Sequence, residues 1–485
     1  RQQFRRTGIL FPHHRQYLSV SGNPTKRNTS GLTMKLDDKK KKYIEKEAFN
    51  ILALIEETEE KSKVARPDTG SSNQKIPFDL TDKLVNSPII ISQTDFESVI
   101  SKKQCFNGKC IGLNIENYKR LVKLNDTIHK EKSINQVISK EFIEDKIFDW
   151  LISTFKNKKA DKSFANFLMD ELENSLKAIK YHFPTLYLDI NKPFEIGKVS
   201  FNFFTKEYFN YLEEHYKKKD PEKYRDDFSE FRKKYQGMVY VAYSVKAESS
   251  RGEEIAFEKC SLAVDVLKMC SETTDFPNVE LGFDIDRRVN INPQNEVFVC
   301  NAENELDDLK LNLSRPKHHH KIDDKEWERI ISRQAPDFHN FLLQIETCEL
   351  SELQQLIINS IKRYGNAISN KNLHQRIVEL FTILESLLLL DQNSPIIDSV
   401  CKYCSKLVFK KVEDRKYLIA LLKSMYEVRS SLIHHGKEKK IELTHLRQLQ
   451  YSVVMLLSTL ITKTDQHKTK QSVLNEIEEA ILNAY

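Results

Sequence analysis

The chain is poor in chain breakers, with only 12 glycines and 13 prolines among 485 residues. That scarcity excludes collagen-like and low-complexity architectures and leaves long stretches free to form helix. Long apolar runs are missing too. The longest, Leu387 to Leu390, falls far short of the roughly 18 residues that a spanning helix needs, so no membrane is expected among the partners. No glycine-rich loop follows a strand-like segment, which removes support for a P-loop or a dinucleotide fold. Cysteines are few, at positions 105, 110, 260, 270, 300, 348, 401 and 404, and no secretory signal accompanies them. A disulfide scaffold is excluded on those grounds, and reduced thiols in a cytoplasmic protein are expected. Cys401-x-x-Cys404 lacks two further ligands at comparable spacing, Cys105-x4-Cys110 being the other close pair. With Val400, Leu407 and Val408 around it, Cys401-x-x-Cys404 belongs to a core helix, and neither metal nor cofactor is expected.

Charge of one sign is also absent from the body. Arg1, Arg5, Arg6, Arg15, Lys26 and Arg27 lie in a leader without Asp or Glu, and they supply the whole net charge of +6. The remainder is balanced, so the protein is not a polycation and any RNA binding must be local. The leader, residues 1–34, reads as a transit peptide, or equally as a translated upstream region or expression remnant that is disordered, and lies outside the expected fold.

What is present is helical periodicity. Residues 35–182 read as a helical N-terminal region. It opens on a helix over 35–65 with Tyr43, Phe49, Leu52 and Ile55 as its inward stripe, and holds further helices over Phe142 to Phe155 and Phe164 to Tyr181. Ser87 to Gln93 has the composition of a strand. Residues 183–350 change period: 186–188, 198–204, 238–245, 279–283 and 296–300 are strand-like, and a helix runs from Ile255 to Cys270. An α+β sensor or regulatory domain fits this stretch. The run His318-His319-His320 reads as a solvated loop. From residue 351 to 485 the pattern is helical, with helices over 371–391, from Ser394-Pro395, over 413–433 and over 441–463, joined by short connections as in an antiparallel bundle. The expected class is therefore mostly α with an α+β middle region and a C-terminal helical bundle.

One segment of that bundle carries chemistry: Tyr426-Glu-Val-Arg429-Ser430-Ser-Leu-Ile-His434-His435-Gly436. Arginine stays charged and offers phosphate a planar fork, while histidine moves protons near neutral pH. The spacing alone says little, since Arg6/His13, Arg315/His320 and Arg333/His339 share it. Context separates them: Arg429 falls near the end of the third helix of a four-helix bundle, with glycine where that helix should stop. Arg429 is four residues after Met425 and seven after Leu422, so it belongs to the apolar side and needs an anion, either Glu385 or a bound phosphate. A structural ion pair to Glu385, with His434 and His435 as a plain helix cap, is the alternative that these residues leave open.

The segment resembles the signature of the HEPN superfamily, an Arg followed after four to six residues by a His, and is most similar to the ApeA-like branch. Leu384-Glu385-Ser-Leu387 resembles a second stretch of that family, and together the two cover residues 371–463. The resemblance implies a metal-independent endoribonuclease of an anti-phage or toxin–antitoxin system. Arg429 and His434 would be its catalytic pair, with Ser430, His435 and Glu385 in support. It further implies a homodimer that pools two motifs, RNA as substrate, and an antitoxin or phage-derived trigger as partner. Ser430 stands where other branches carry Asn, Asp or His. A non-catalytic HEPN module that binds RNA, nucleotide or protein is the competing expectation.

Overall fold

A computed structural model describes residues 34–59, 89–95, 98–106, 109–219, 224–279, 282–285, 294–300, 306–313, 319–346, 349–390 and 396–482. Residues 1–33 of the leader lie outside them, as does the Asn393-Ser394-Pro395 helix break, whereas Met34 is a buried core residue. The chain divides into two compact units, one drawn from Thr25–Ile179 with Ser244–Ile255 and the other from Lys180–Tyr243 with Ala256–Tyr485. The expected sensor region and the bundle thus fall largely in the same unit.

The first unit opens with helix α1 (Asp38–Leu52), whose start is capped by the Asp37 side chain. Strands β1 (Glu56–Glu59), β2 (Ile89–Asp95), β3 (Ser98–Phe106) and β4 (Lys109–Leu113) follow, then helices α2 (Ile115–His129), α3 (Lys132–Asn135), α4 (Lys140–Asn157) and α5 (Phe164–Ser175). Three expectations are corrected here. The first helix stops at Leu52 rather than 65, and it buries Ile44, Ala48 and Ile51 while Tyr43 and Phe49 stay exposed. A shift of one residue turns a helix face by about 100°, which is enough to swap the stripe. The region is not purely helical, because β1 to β4 form an antiparallel sheet in the order β1-β4-β3-β2. In that sheet Cys105 faces Cys110 directly across β3 and β4 with Cα atoms 4.0 Å apart, and the two are joined in a disulfide. Not all the thiols are reduced, contrary to expectation. The free cysteines among the described residues, Cys260, Cys270, Cys401 and Cys404, are buried.

The middle of the chain supplies β5 (Lys177–Leu186), β6 (Leu188–Ile190), β7 (Phe194–Ile196), β8 (Val199–Phe203), α6 (Lys206–Lys219), α7 (Tyr224–Tyr235), β9 (Val239–Ala247) and α8 (Ser249–Met269). Next come β10 (Asp284–Ile285), β11 (Gln294–Cys300), β12 (Leu306–Leu313), β13 (His320–Ile322), α9 (Asp324–Ser332) and α10 (Ala335–Gln344). A five-stranded sheet runs β10-β5-β9-β8-β7, with Phe194, Phe201 and Val241 buried in it. The expected helix over 164–181 gives way to β5 after Ser175. Of the strand expected at 279–283, residues 280–281 lie outside the described residues, 279, 282 and 283 are not in a strand, and β10 lies at 284–285. The three-histidine loop is corrected in part. His318 lies outside the described residues and His319 is exposed, but His320 is buried in β13, stacked on Phe283. Pairing with β6 places its side chain inward, a consequence of alternation that a polar run conceals.

The C-terminal part is helical: α11 (Glu352–Ser369), α12 (Leu373–Leu388), α13 (Ile396–Val408), α14 (Val412–His435), α15 (Leu443–Lys463) and α16 (Lys470–Leu482). The four helices α12 to α15 all touch one another. Their core gathers Leu380, Leu384, Leu387, Cys404, Leu422, Met425, Leu446, Val453 and Leu457, all buried. Cys401 and Cys404 are core residues here, and burial pushes the Cys401 thiol up to about 11 and that of Cys404 to about 12.

Between α8 and α11 the Asp265 side chain lies so close to Gly365 that a methyl group on that glycine would overlap the carboxylate. Burial there raises Asp265 to about 7, although Lys268 lies 3.5 Å away. In the unfolded chain this proton leaves near pH 4. The folded state therefore holds a proton that the unfolded state has lost across the window from about 4 to about 7. Stability from this group is present below that window and drains away as pH rises through it, by on the order of a few kcal/mol. We expect Asp265→Asn to flatten the slope of melting temperature against pH between 4 and 7. An unchanged slope would place the titration elsewhere.

Candidate functional site

Helix α14 runs unbroken for 24 residues and ends where the sequence says it should. Gly436 takes the left-handed conformation at φ +60°, and its N–H donates to Leu432 O at 2.9 Å while that of Lys437 donates to Ser431 O at 3.2 Å. This closing turn satisfies carbonyls that the helix end would otherwise leave open. The Ser431 hydroxyl reinforces it by donating to Lys437 O at 2.9 Å. His434 and His435 therefore sit in the last turn, both exposed, with Lys437, Lys439 and Lys440 exposed just beyond.

Arg429 lies further back, on the side that meets α12. Its Nη2 is 3.2 Å from Glu385 Oε1 and 3.3 Å from Oε2, and the two side chains are 14% and 17% exposed. The guanidinium lies over the Tyr426 ring, 5.3 Å from its centroid, and Nη1 approaches the Tyr426 hydroxyl at 3.5 Å. Tyr426 in turn meets Phe381 of α12 edge-on at 5.4 Å. Arg429 is thus braced by an aromatic wall and one carboxylate. Burial raises the Glu385 carboxyl above its ordinary value, and the Arg429 charge opposes that rise. The pair is not fully satisfied: Arg429 Nε and Glu385 Oε1 are buried without a hydrogen-bond partner.

The structure brings Arg429 and Glu385 together, and leaves Ser430 half-buried beside them. Arg429 and His434 are not brought together. Five residues along an α-helix amount to about 140° of rotation, so they point to different sides, whereas Ser430 and His434, four apart, share a face. Tyr426 and Phe381 went unassigned in the sequence. The signal was available, since a tyrosine three residues before an arginine on a helix is placed to stack beneath it. Among the described residues, no three of His, Cys, Asp or Glu converge to hold a metal ion, and no helix is long and apolar enough to cross a membrane.

No protein-family model, curated protein or solved structure matches this chain. The resemblance of residues 371–463 to the HEPN superfamily accordingly stands on the motif and its placement.

Proposed function

We propose that the C-terminal bundle is a HEPN-type endoribonuclease that works without a metal, as a homodimer. The observation that carries this proposal is the end of α14. A braced, partly buried arginine precedes two exposed histidines in a glycine-capped last turn. Such a set answers the needs of RNA cleavage by its own 2′-hydroxyl. A general base removes the 2′-hydroxyl proton, the oxygen attacks phosphorus, and the bond from phosphorus to the 5′-oxygen breaks as a general acid protonates the leaving group. Histidine suits either proton role, and arginine suits the charge that builds on the phosphorane. Because one α14 turns Arg429 and His434 apart, the complete set needs a second subunit, whose own His434 would supply the other proton-transfer group across a two-fold axis. The rest of the chain would then regulate this effector, in a defence or toxin–antitoxin setting.

The full-length protein, incubated with end-labelled RNA, is expected to leave 2′,3′-cyclic phosphate and 5′-hydroxyl ends at a rate unchanged by EDTA. Products with 5′-phosphate ends, or a rate abolished by chelation, would overturn the mechanism. The existing Arg429–Glu385 pair favours one second possibility, a module that binds RNA without cutting it. Saturable binding with no cleavage across a range of RNAs would favour that outcome.

A further inference from the structure

We infer that Glu385 is a built-in stand-in for the RNA phosphate, which must be exchanged for the substrate before Arg429 can act. This rests on the proposal that Arg429 grips phosphate, and adds how access to it is controlled.

Nε and Nη2 lie on the same side of an arginine and together form the fork that locks onto a two-oxygen anion. Glu385 engages only half of this edge: both carboxylate oxygens lie near Nη2, at 3.2 and 3.3 Å, while Nε is buried with no hydrogen-bond partner. On the carboxylate side, Oε1 also lacks a hydrogen bond. A half-buried ion pair with one unpaired atom on each partner recovers its desolvation cost poorly. A phosphodiester carries two non-bridging oxygens and can take Nε and Nη2 at once, so exchange completes the fork that Glu385 leaves half made.

The surroundings suit exchange rather than collapse. Arg429 rests on Tyr426, and Tyr426 rests on Phe381, so two aromatic rings from α14 and α12 hold the guanidinium in place when the carboxylate departs. Glu385, at 17% exposure, is not sealed from solvent. The opposite role, in which Glu385 merely orients Arg429 for catalysis, predicts an effect of opposite sign.

The test measures the affinity of the full-length protein for an RNA oligonucleotide made uncleavable by 2′-deoxy substitution, and the inhibition constant of inorganic phosphate against cleavage. Glu385→Gln keeps the shape and removes the charge, and Glu385→Ala serves as a second variant if the first melts early. Either is expected to bind the oligonucleotide about tenfold more tightly than the wild type and to be inhibited by correspondingly less phosphate. Adding Arg429→Ala to Glu385→Gln should erase the gain. Equal or weaker binding by Glu385→Gln and Glu385→Ala than by a wild type that cleaves RNA would overturn the stand-in and leave the ribonuclease proposal intact. A wild type that neither binds nor cleaves RNA would overturn both.

Discussion

Replacing Arg429 or His434 by alanine is expected to lower RNA cleavage at least about a hundredfold in each case, with helix content unchanged. The two variants should fail differently. On the proposed mechanism, Arg429→Ala removes the charge that would meet the phosphorane, and it leaves Glu385 half-buried without its partner. That carboxyl already sits above its ordinary value because of burial, so protonation can absorb part of the cost. Arg429→Lys separates charge from shape: a lysine keeps the cation but not the fork, and activity should remain well below wild type. His434→Ala touches an exposed side chain, so melting temperature should hold while turnover drops. His435→Ala is the control, with a milder effect expected. Mixing Arg429→Ala with His434→Ala subunits should recover part of the activity that either loses alone. Full activity in Arg429→Ala or His434→Ala would end the catalytic assignment.

The second large effect concerns stability. Arg376, in the first turn of α12, is 2% exposed and has no salt-bridge partner among the described residues. Instead it donates chiefly to backbone carbonyls: Nη1 to Pro277 O at 2.8 Å, with the Gln450 Oε1 side-chain oxygen further off at 3.4 Å, and Nη2 to Ile368 O at 3.1 Å and Asn370 O at 2.8 Å. Ile368 and Asn370 belong to the end of α11, where carbonyls run out of helical partners, so Arg376 acts as a cap reaching in from the next helix. Burial lowers its guanidinium to about 10. Arg376→Ala strands three carbonyls, two in buried contacts and one in a part-buried contact, and is expected to cost several kcal/mol, seen as a melting transition lower by on the order of 10 °C. Arg376→Met should be nearly as harmful, since the loss lies in the donors and not in the volume. A shift under about 2 °C would mean that water reaches those carbonyls.

The bundle was legible because its signal is periodic over many residues. Leu380, Leu384 and Leu387, and Leu446, Leu449, Val453 and Leu457, mark one face apiece, and all are buried. The stop of α14 was legible as well, because glycine tolerates the left-handed turn. The first sheet was much less so. β1 is Glu-Glu-Thr-Glu, and β3 carries Ser101, Lys102, Lys103 and Gln104 in a row, so neither shows the alternation that marks a half-buried strand. Their pairing is a matter of partners far along the chain, as is the meeting of Cys105 with Cys110 that the register imposes. In the candidate site the sequence offered Glu385 as one possible anion for Arg429. It left open whether that place was filled, because a contact across 44 residues depends on how two helices rotate against each other. Arg376 was invisible for a related reason, since its partners are carbonyls, which every residue carries.

The rotation between Arg429 and His434 has a consequence for dosage. A site that only two copies can complete follows mass action, so the rate per molecule climbs with the amount of protein before it levels off. On the proposed dimeric ribonuclease, dilute chains would stay harmless without any inhibitor bound to them. Danger to the host would then arrive as a threshold in expression, and a modest burst of synthesis would cross it where slow accumulation, balanced by turnover, would not.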